Sequence, residues 1–545
     1  MNKNKKMIKL SHNCLYIIST AFFLSVTALH PLYIRRTHFI NITGDKAYFF
    51  LAITGIAATL TMLALFFTTT RFQVKDYFVS NEPVRRLSIS EWAIVAFVLL
   101  VLLSSVFSPH GRIVWMTGPL GRWEGFWVLL CYVVAFFIIA RFYKPKRWHL
   151  LAFAGSVILV SLYGVLQFMG WDTLITSGFF VNLPQEGTSE WHLLTPTMSR
   201  LFRTTLGNTN IVSAYAAMTT VLFSALFAGE ESPWCLVYAA ACGLSFALLL
   251  ISRGDAGALG VMAAMTLAIP YWMACNKRLG KIFIILAVCV AVFIGYNIYL
   301  DNAERWISPE LLDMQRWNIV DRRFNYPGWL QWAAAALFVA GVALQFLKKW
   351  PSQIMKIAGV IILAVMIIGG IAFINVAGER REDNPNDIIW QAREMLNGRF
   401  EDHFGSGRVF VWRNALPVVA DRPILGSGPG TFFQAMGEEF QEMSSQQFGA
   451  TFDTAHNTYL QMAITLGIPA LLAYLIFLAA LFIPAAKAAF SRPILLAFSV
   501  AALSYLVQSL FQVDTPIDRP LLWTALGVMA GELWRSKIEH ITSPQ

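Results

Sequence analysis

Glu379-Arg380-Arg381-Glu382-Asp383 opens the longest polar interval of the chain, and Ala455-His456-Asn457-Thr458-Tyr459-Leu460-Gln461 closes it. Between them run Gly405-Ser406-Gly407-Arg408-Val409-Phe410-Val411-Trp412-Arg413 and Asp421-Arg422-Pro423-Ile424-Leu425-Gly426-Ser427-Gly428-Pro429-Gly430. On either side the sequence is mostly apolar. A link this long between spans has its own structure or a task. The pattern predicts that the spans hold this loop and that the loop carries the chemistry.

Composition agrees. The chain has 545 residues, 57% hydrophobic and 14% charged. A soluble domain carries about 25% charged residues, so this chain falls in the membrane class. The net charge of +10 would fit a nucleic-acid partner, but the basic residues are placed as membrane topology requires. Membrane lipids are therefore expected as partners and nucleic acid is not. The six cysteines (Cys14, Cys131, Cys235, Cys242, Cys275, Cys289) lie in or beside apolar runs with no CxxC or zinc spacing. They read as small buried apolar residues. Lys3, Lys5, Lys6 and Lys9 precede an apolar run, as in a signal peptide. The run is long for one and no small-residue cleavage site follows, so an uncleaved first span is expected.

A helix needs roughly 20 apolar residues to cross the hydrocarbon core. On that rule the chain reads as an all-α polytopic membrane protein of about fourteen transmembrane helices with a large helical extracytoplasmic loop. The spans fall near 13–33, 47–69, 91–108, 124–141, 149–169, 209–228, 234–252, 256–274, 281–300, 328–347, 355–376, 458–484, 492–513 and 517–534. Four regions follow: N-terminal spans in 1–200, central spans in 201–376, the loop at 377–457, and C-terminal spans in 458–545. Basic clusters alternate along the chain: Lys75/Arg85/Arg86, Arg141/Lys144/Lys146/Arg147, Lys277/Arg278/Lys281, Lys348/Lys349/Lys356, Lys487/Arg492 and Arg535/Lys537. They predict that both termini and these links are cytoplasmic. The other links (34–46, 109–123, 170–208, 251–255, 301–327, 377–457 and 514–520) are aromatic-rich with balanced charge and converge on the outer face.

His456 stands where the long loop enters a span. It reads either as an interfacial cap or as a base, with Asn457 and Gln461 following at helical spacing. A neutral imidazole can take a proton from a hydroxyl near pH 7. Arg408 and Arg413 flank Trp412 on a short amphipathic helix expected on the membrane surface. There an arginine can snorkel while Trp412 anchors the helix, or Arg408 can grip a phosphate bidentately. Arg253 ends an apolar run in a tight turn and needs a partner, either Asp255 or an anionic ligand. Gly426 to Gly430 can cradle phosphate but lacks the Gly-Lys-Ser/Thr of a P-loop, and a turn that folds the loop back is the preferred reading. Arg203 and Asn208 precede the sixth span, whose helix N-terminus can cap through Asn208 or help hold an anion. Arg122 and Glu124 open the fourth span and read as interfacial. Metal-ligand spacing is absent, so no metal or other cofactor is expected.

These stretches resemble the O-antigen ligase and polymerase superfamily of bacterial undecaprenyl-diphosphate-glycan transferases. The resemblance rests on Leu250-Ile251-Ser252-Arg253-Gly254, on Gly407-Arg408 leading to Trp412, on Asp421 to Phe432, and on Ala455 to Gln461 followed by Leu466-Gly467-Ile468-Pro469. Gly207-Asn208-Thr209-Asn210 resembles the family's Gly-Asn-Pro-Asn, with Thr209 in place of Pro. The resemblance implies a GT-C-like membrane enzyme in the bacterial inner membrane with an extracytoplasmic active site. It implies a metal-independent, inverting transfer from an undecaprenyl-diphosphate-linked glycan donor to a hydroxyl-bearing envelope acceptor. Arg253 and Arg408 would bind the diphosphate and His456 would activate the hydroxyl. Arg413, Trp412, Asn457, Gln461, Arg203 and Asn208 would line the substrate site. Two departures bear on the acceptor: many members carry Glu where this chain has Thr458 and Thr465. A polymerase of the same family, a lipid-linked glycan transporter, and a scaffold whose outer loop binds a partner are the competing readings. A transporter places its site near the midplane on broken helices, whereas these ionisable residues gather at the outer boundary.

Overall fold

The computed structural model describes residues 2–35, 41–71, 87–118, 121–169, 203–302, 326–382, 384, 387–512 and 514–542. Lys75, Arg85 and Arg86 and most of the expected outer loops 170–208 and 301–327 lie outside the described residues. The described chain is helical, with no strand among the described residues.

In order the helices are α1 (Asn2–Leu24, prolonged by a π-helical turn Ser25–Leu29 to Leu32), α2 (Ile42–Arg71), α3 (Ile89–Val106), α4 (Phe126–Phe142), α5 (Arg147–Phe168), α6 (Thr209–Gly229) and α7 (Cys235–Ser252). Then come α8 (Asp255–Leu267), α9 (Ile269–Met273), α10 (Asn276–Asp301), α11 (Leu330–Phe346) and α12 (Ser352–Glu379). The long loop contributes α13 (Ile388–Leu396), α14 (Phe404–Asp421) and α15 (Phe432–Phe448). The chain closes with α16 (Thr458–Leu466), α17 (Ile468–Ala488), α18 (Pro493–Gln508) and α19 (Arg519–Thr542).

Among the described residues, 9 helices are long and apolar enough to cross a membrane. The remaining expected spans correspond to shorter helices such as α4, α8, α11 and α18, or to the more polar α19. Two expected spans are broken. The span at 256–274 divides into α8 and α9, because Pro270 stands in the first turn of α9 and cannot continue the preceding ladder. The span at 458–484 divides at Gly467, whose φ of 87° and ψ of 165° end α16 where a side chain would be strained.

The helix α6 is buried along its whole length, whereas α12 exposes nearly all of its apolar surface, including Ile354, Val365, Ile368 and Phe373. A helix apolar all round fits either a core or lipid; α6 takes the first place and α12 the second. Two buried hydroxyls on α6 return to its own carbonyls, Thr219 Oγ1 to Tyr215 O at 2.7 Å and Ser224 Oγ to Val221 O at 2.8 Å, so the core carries them at little cost.

The long loop has its own core. Phe410, Val411 and Ala415 of α14 pack on Phe432, Met436 and Phe440 of α15 and on Ala455 and Ile464. Phe410 and Phe440 stack at 5.4 Å. The expectation of a structured helical loop therefore holds.

At one end of the bundle the basic residues find partners. Arg141 reaches the buried Glu91 at 2.8 Å, Arg147 pairs with Glu230 at 3.1 Å, and Arg492 pairs with Glu532 at 3.5 Å. The candidate catalytic residues lie at the other end.

Candidate active site around His456

Asn457 caps α16, its Oδ1 accepting from the N–H groups of Tyr459 and Leu460, both at 3.0 Å. Its side chain is thus committed to the helix start. His456, immediately before it, has a φ of 47°, a left-handed conformation uncommon outside glycine. The neighbouring peptide explains how it is held. Ala455 is fully buried; its N–H donates to Gln461 Oε1 at 2.9 Å and its carbonyl accepts from Trp412 Nε1 at 2.9 Å. Gln461 also donates to Glu124 Oε2 at 3.1 Å. Trp412 is therefore turned into the site. Its indole N–H satisfies a buried carbonyl.

Three consecutive left-handed residues, Gly405, Ser406 and Gly407, begin α14. They aim the Gly405 carbonyl at Arg408, which donates to it through Nη1 at 2.6 Å and to Phe511 O through Nε at 3.2 Å. Burial disfavours the charge on Arg408, and Asp255 favours it. Burial also pulls His456 down from 6.5 to about 4, and the charges of Arg408 and Arg122 act in the same direction, partly offset by Asp453. The imidazole is neutral at pH 7.

Arg253 caps α7 with a φ of 52°. Its turn is pressed on α6: a Cβ at Gly254 or Gly257 would meet Ser213 Oγ at 2.1 Å, and Ser213 Oγ donates to Gly254 O at 3.1 Å. Asp255, two residues after Arg253 at the start of α8, also favours the charged form of Arg408. The loop after α18 joins the same end: Thr458 N–H donates to Ser509 O at 2.8 Å and Gln508 Nε2 to Asn210 O at 3.4 Å.

Two sequence candidates have side chains engaged elsewhere, and a third, Arg203, is placed by its backbone. Arg413 is exposed and bonded to Asp402 and to Phe400 O, both at 2.7 Å, so it braces the 397–403 segment. Asn208 caps α6 by accepting from Asn210 N at 2.8 Å. Arg203 opens a turn in which its carbonyl accepts from Gly207 N at 2.7 Å. The glycine-rich loop is a turn, as preferred. Ser427 and Gly428 donate their N–H groups to Ile464 O at 3.1 Å and Thr465 O at 2.8 Å. They satisfy the terminal carbonyls of α16, so those donors do not face a phosphate.

Reading the sequence missed Asp453, Asp514 and Arg519 and took Arg122 and Glu124 only as interfacial. Arg122 Nε donates to Asp453 Oδ2 at 2.9 Å, beside His456. Asp514 and Arg519 form a buried pair at 3.2 Å. With Glu124, Thr458, Gln461 and Thr465 they line a cavity of about 30 Å³. Asp453 had a usable signal, three residues before His456; the others lie far away in sequence. No cluster of His, Cys, Asp and Glu fit for a metal occurs among the described residues.

No curated protein matches the chain. Residues 328–475 match the family model described as O-Antigen ligase. This segment, which contains Arg408, Trp412 and His456, is similar to the O-antigen ligase family.

Proposed function

We propose that the chain is a membrane glycosyltransferase that moves a glycan from an undecaprenyl-diphosphate carrier to a hydroxyl acceptor on the outer face of the bacterial cytoplasmic membrane. The observation that carries this reading is the bond from Trp412, on the helix of Arg408, to the Ala455 carbonyl beside His456, which brings the base and the arginine together at one end of an apolar bundle. The family match supports the lipid-linked substrate class. His456 takes the proton of the acceptor hydroxyl. The oxygen attacks the anomeric carbon as the bond to the diphosphate breaks, and the electron pair leaves on the phosphate oxygen. Arg408, joined by Arg253, stabilises the charge that grows there.

The test is transfer from a purified undecaprenyl-diphosphate glycan in nanodiscs, with EDTA present and source membranes as the acceptor pool. Wild type is expected to transfer glycan, and His456→Ala, Arg408→Ala and Arg253→Ala, shown to be folded, are expected to fail. The product then separates a ligase from a polymerase. Movement of the lipid-linked glycan between leaflets without transfer, unchanged in His456→Ala, would overturn the proposal in favour of a transporter.

A further inference from the structure

We infer that Glu124 is a positioning residue for His456, acting through Gln461; this rests on the transferase reading above. Glu124 lies just before α4, and Gln461 on α16. Its Oε2 accepts from Gln461 Nε2 at 3.1 Å, and this fixes the amide so that Oε1 faces Ala455 N–H at 2.9 Å. An unconstrained glutamine amide can present either end. With the ends exchanged, an NH₂ group would face the Ala455 N–H, and the buried peptide that holds His456 at a φ of 47° would lose its acceptor. Glu124 thus sets the amide orientation, and the amide sets the peptide.

The surroundings fit that task. Glu124 shares the small cavity with the Asp514–Arg519 pair. Burial raises its pKa, while the charges of Arg122 and Arg519 and the Gln461 hydrogen bond act the other way, and Asp514 adds to the rise. No other described hydrogen bond holds the Gln461 Nε2 group. Nothing in the proposed chemistry needs a second carboxylate on this side of the histidine, so orientation is what remains for Glu124 to do.

The test is a reciprocal exchange. Gln461→Glu alone places two carboxylates together and is expected to lower kcat roughly 10–100-fold with donor KM nearly unchanged, since the arginines are untouched. Glu124→Gln with Gln461→Glu restores the bond between the two side chains with donor and acceptor exchanged, the group at 461 still accepting from Ala455 N–H, and is expected to recover activity to within about threefold of wild type. A parallel readout needs no donor: the rate at which diethyl pyrocarbonate modifies His456, followed by mass spectrometry. It is expected to change at least about threefold in Gln461→Glu and to return in the double variant. If the double variant stays as impaired as the single one, or if Gln461→Glu alters neither readout, the inference is wrong. If wild type transfers nothing, the transferase reading fails, and the modification rates alone decide the role of Glu124.

Discussion

The indole N–H of Trp412 donates to the carbonyl of Ala455 at 2.9 Å. This bond ties α14, which carries Arg408, to the peptide that precedes His456. The candidate phosphate ligand and the candidate base are therefore tied to each other through Trp412. Trp412→Phe keeps the ring and leaves a buried carbonyl unpaired, at a cost of roughly 1–3 kcal/mol of stability. A lower melting temperature together with a fall in kcat of about tenfold is expected. An unchanged kcat would mean that the tie does not position the site.

The pH dependence follows from the electrostatics of His456. Its pKa lies at about 4, below the ordinary 6.5, so the base is unprotonated throughout the neutral range. The acid limb of kcat/KM reports the free enzyme and is expected near pH 4. A bound diphosphate offsets Arg408 and Arg122, which favours the imidazolium and raises the pKa. The acid limb of kcat, which reports the bound enzyme, is expected at higher pH than that of kcat/KM. Two coincident limbs would show that the diphosphate does not bind beside these arginines.

Arg408 is aimed by two carbonyls, Gly405 O and Phe511 O. Lysine keeps the charge but cannot serve both carbonyls and grip phosphate in a fork. Arg408→Lys is expected to lose part, and Arg408→Ala most, of a contact worth roughly 2–4 kcal/mol of barrier. Single-turnover rates at saturating donor would measure this; equal rates for wild type and Arg408→Ala would exclude the role.

Glycines divide by what surrounds them. A Cβ at Gly467 would meet Ile424 O at 2.2 Å, and one at Gly426 would meet Thr465 C at 2.4 Å. Both positions also have positive φ. Gly467→Ala and Gly426→Ala are expected to cost about 3 kcal/mol or more, because strain and a backbone clash combine. Gly449 has a φ of 66° in open space, so Gly449→Ala is expected to cost only about 1–2 kcal/mol. Thermal melts of the three variants in one detergent check the order.

The sequence by itself determined the class of the molecule. Apolar runs of membrane length and the polar interval at 379–461 required spans and a structured loop, since burial of apolar side chains depends on local composition. It also marked His456, Arg408 and Arg253, because an ionisable residue at the edge of an apolar run needs a partner. Tertiary structure decided which polar side chains were already engaged. Asn457 and Asn208 cap helices, Arg413 braces a neighbouring segment, and the glycine-rich loop closes the end of α16. It also decided the company of His456, because Glu124 reaches Gln461 across 337 positions of chain and Arg122 reaches Asp453 across 331. Helical periodicity orders residues only a few positions apart. Contacts over such separations are set by how the helices pack, which no local pattern encodes.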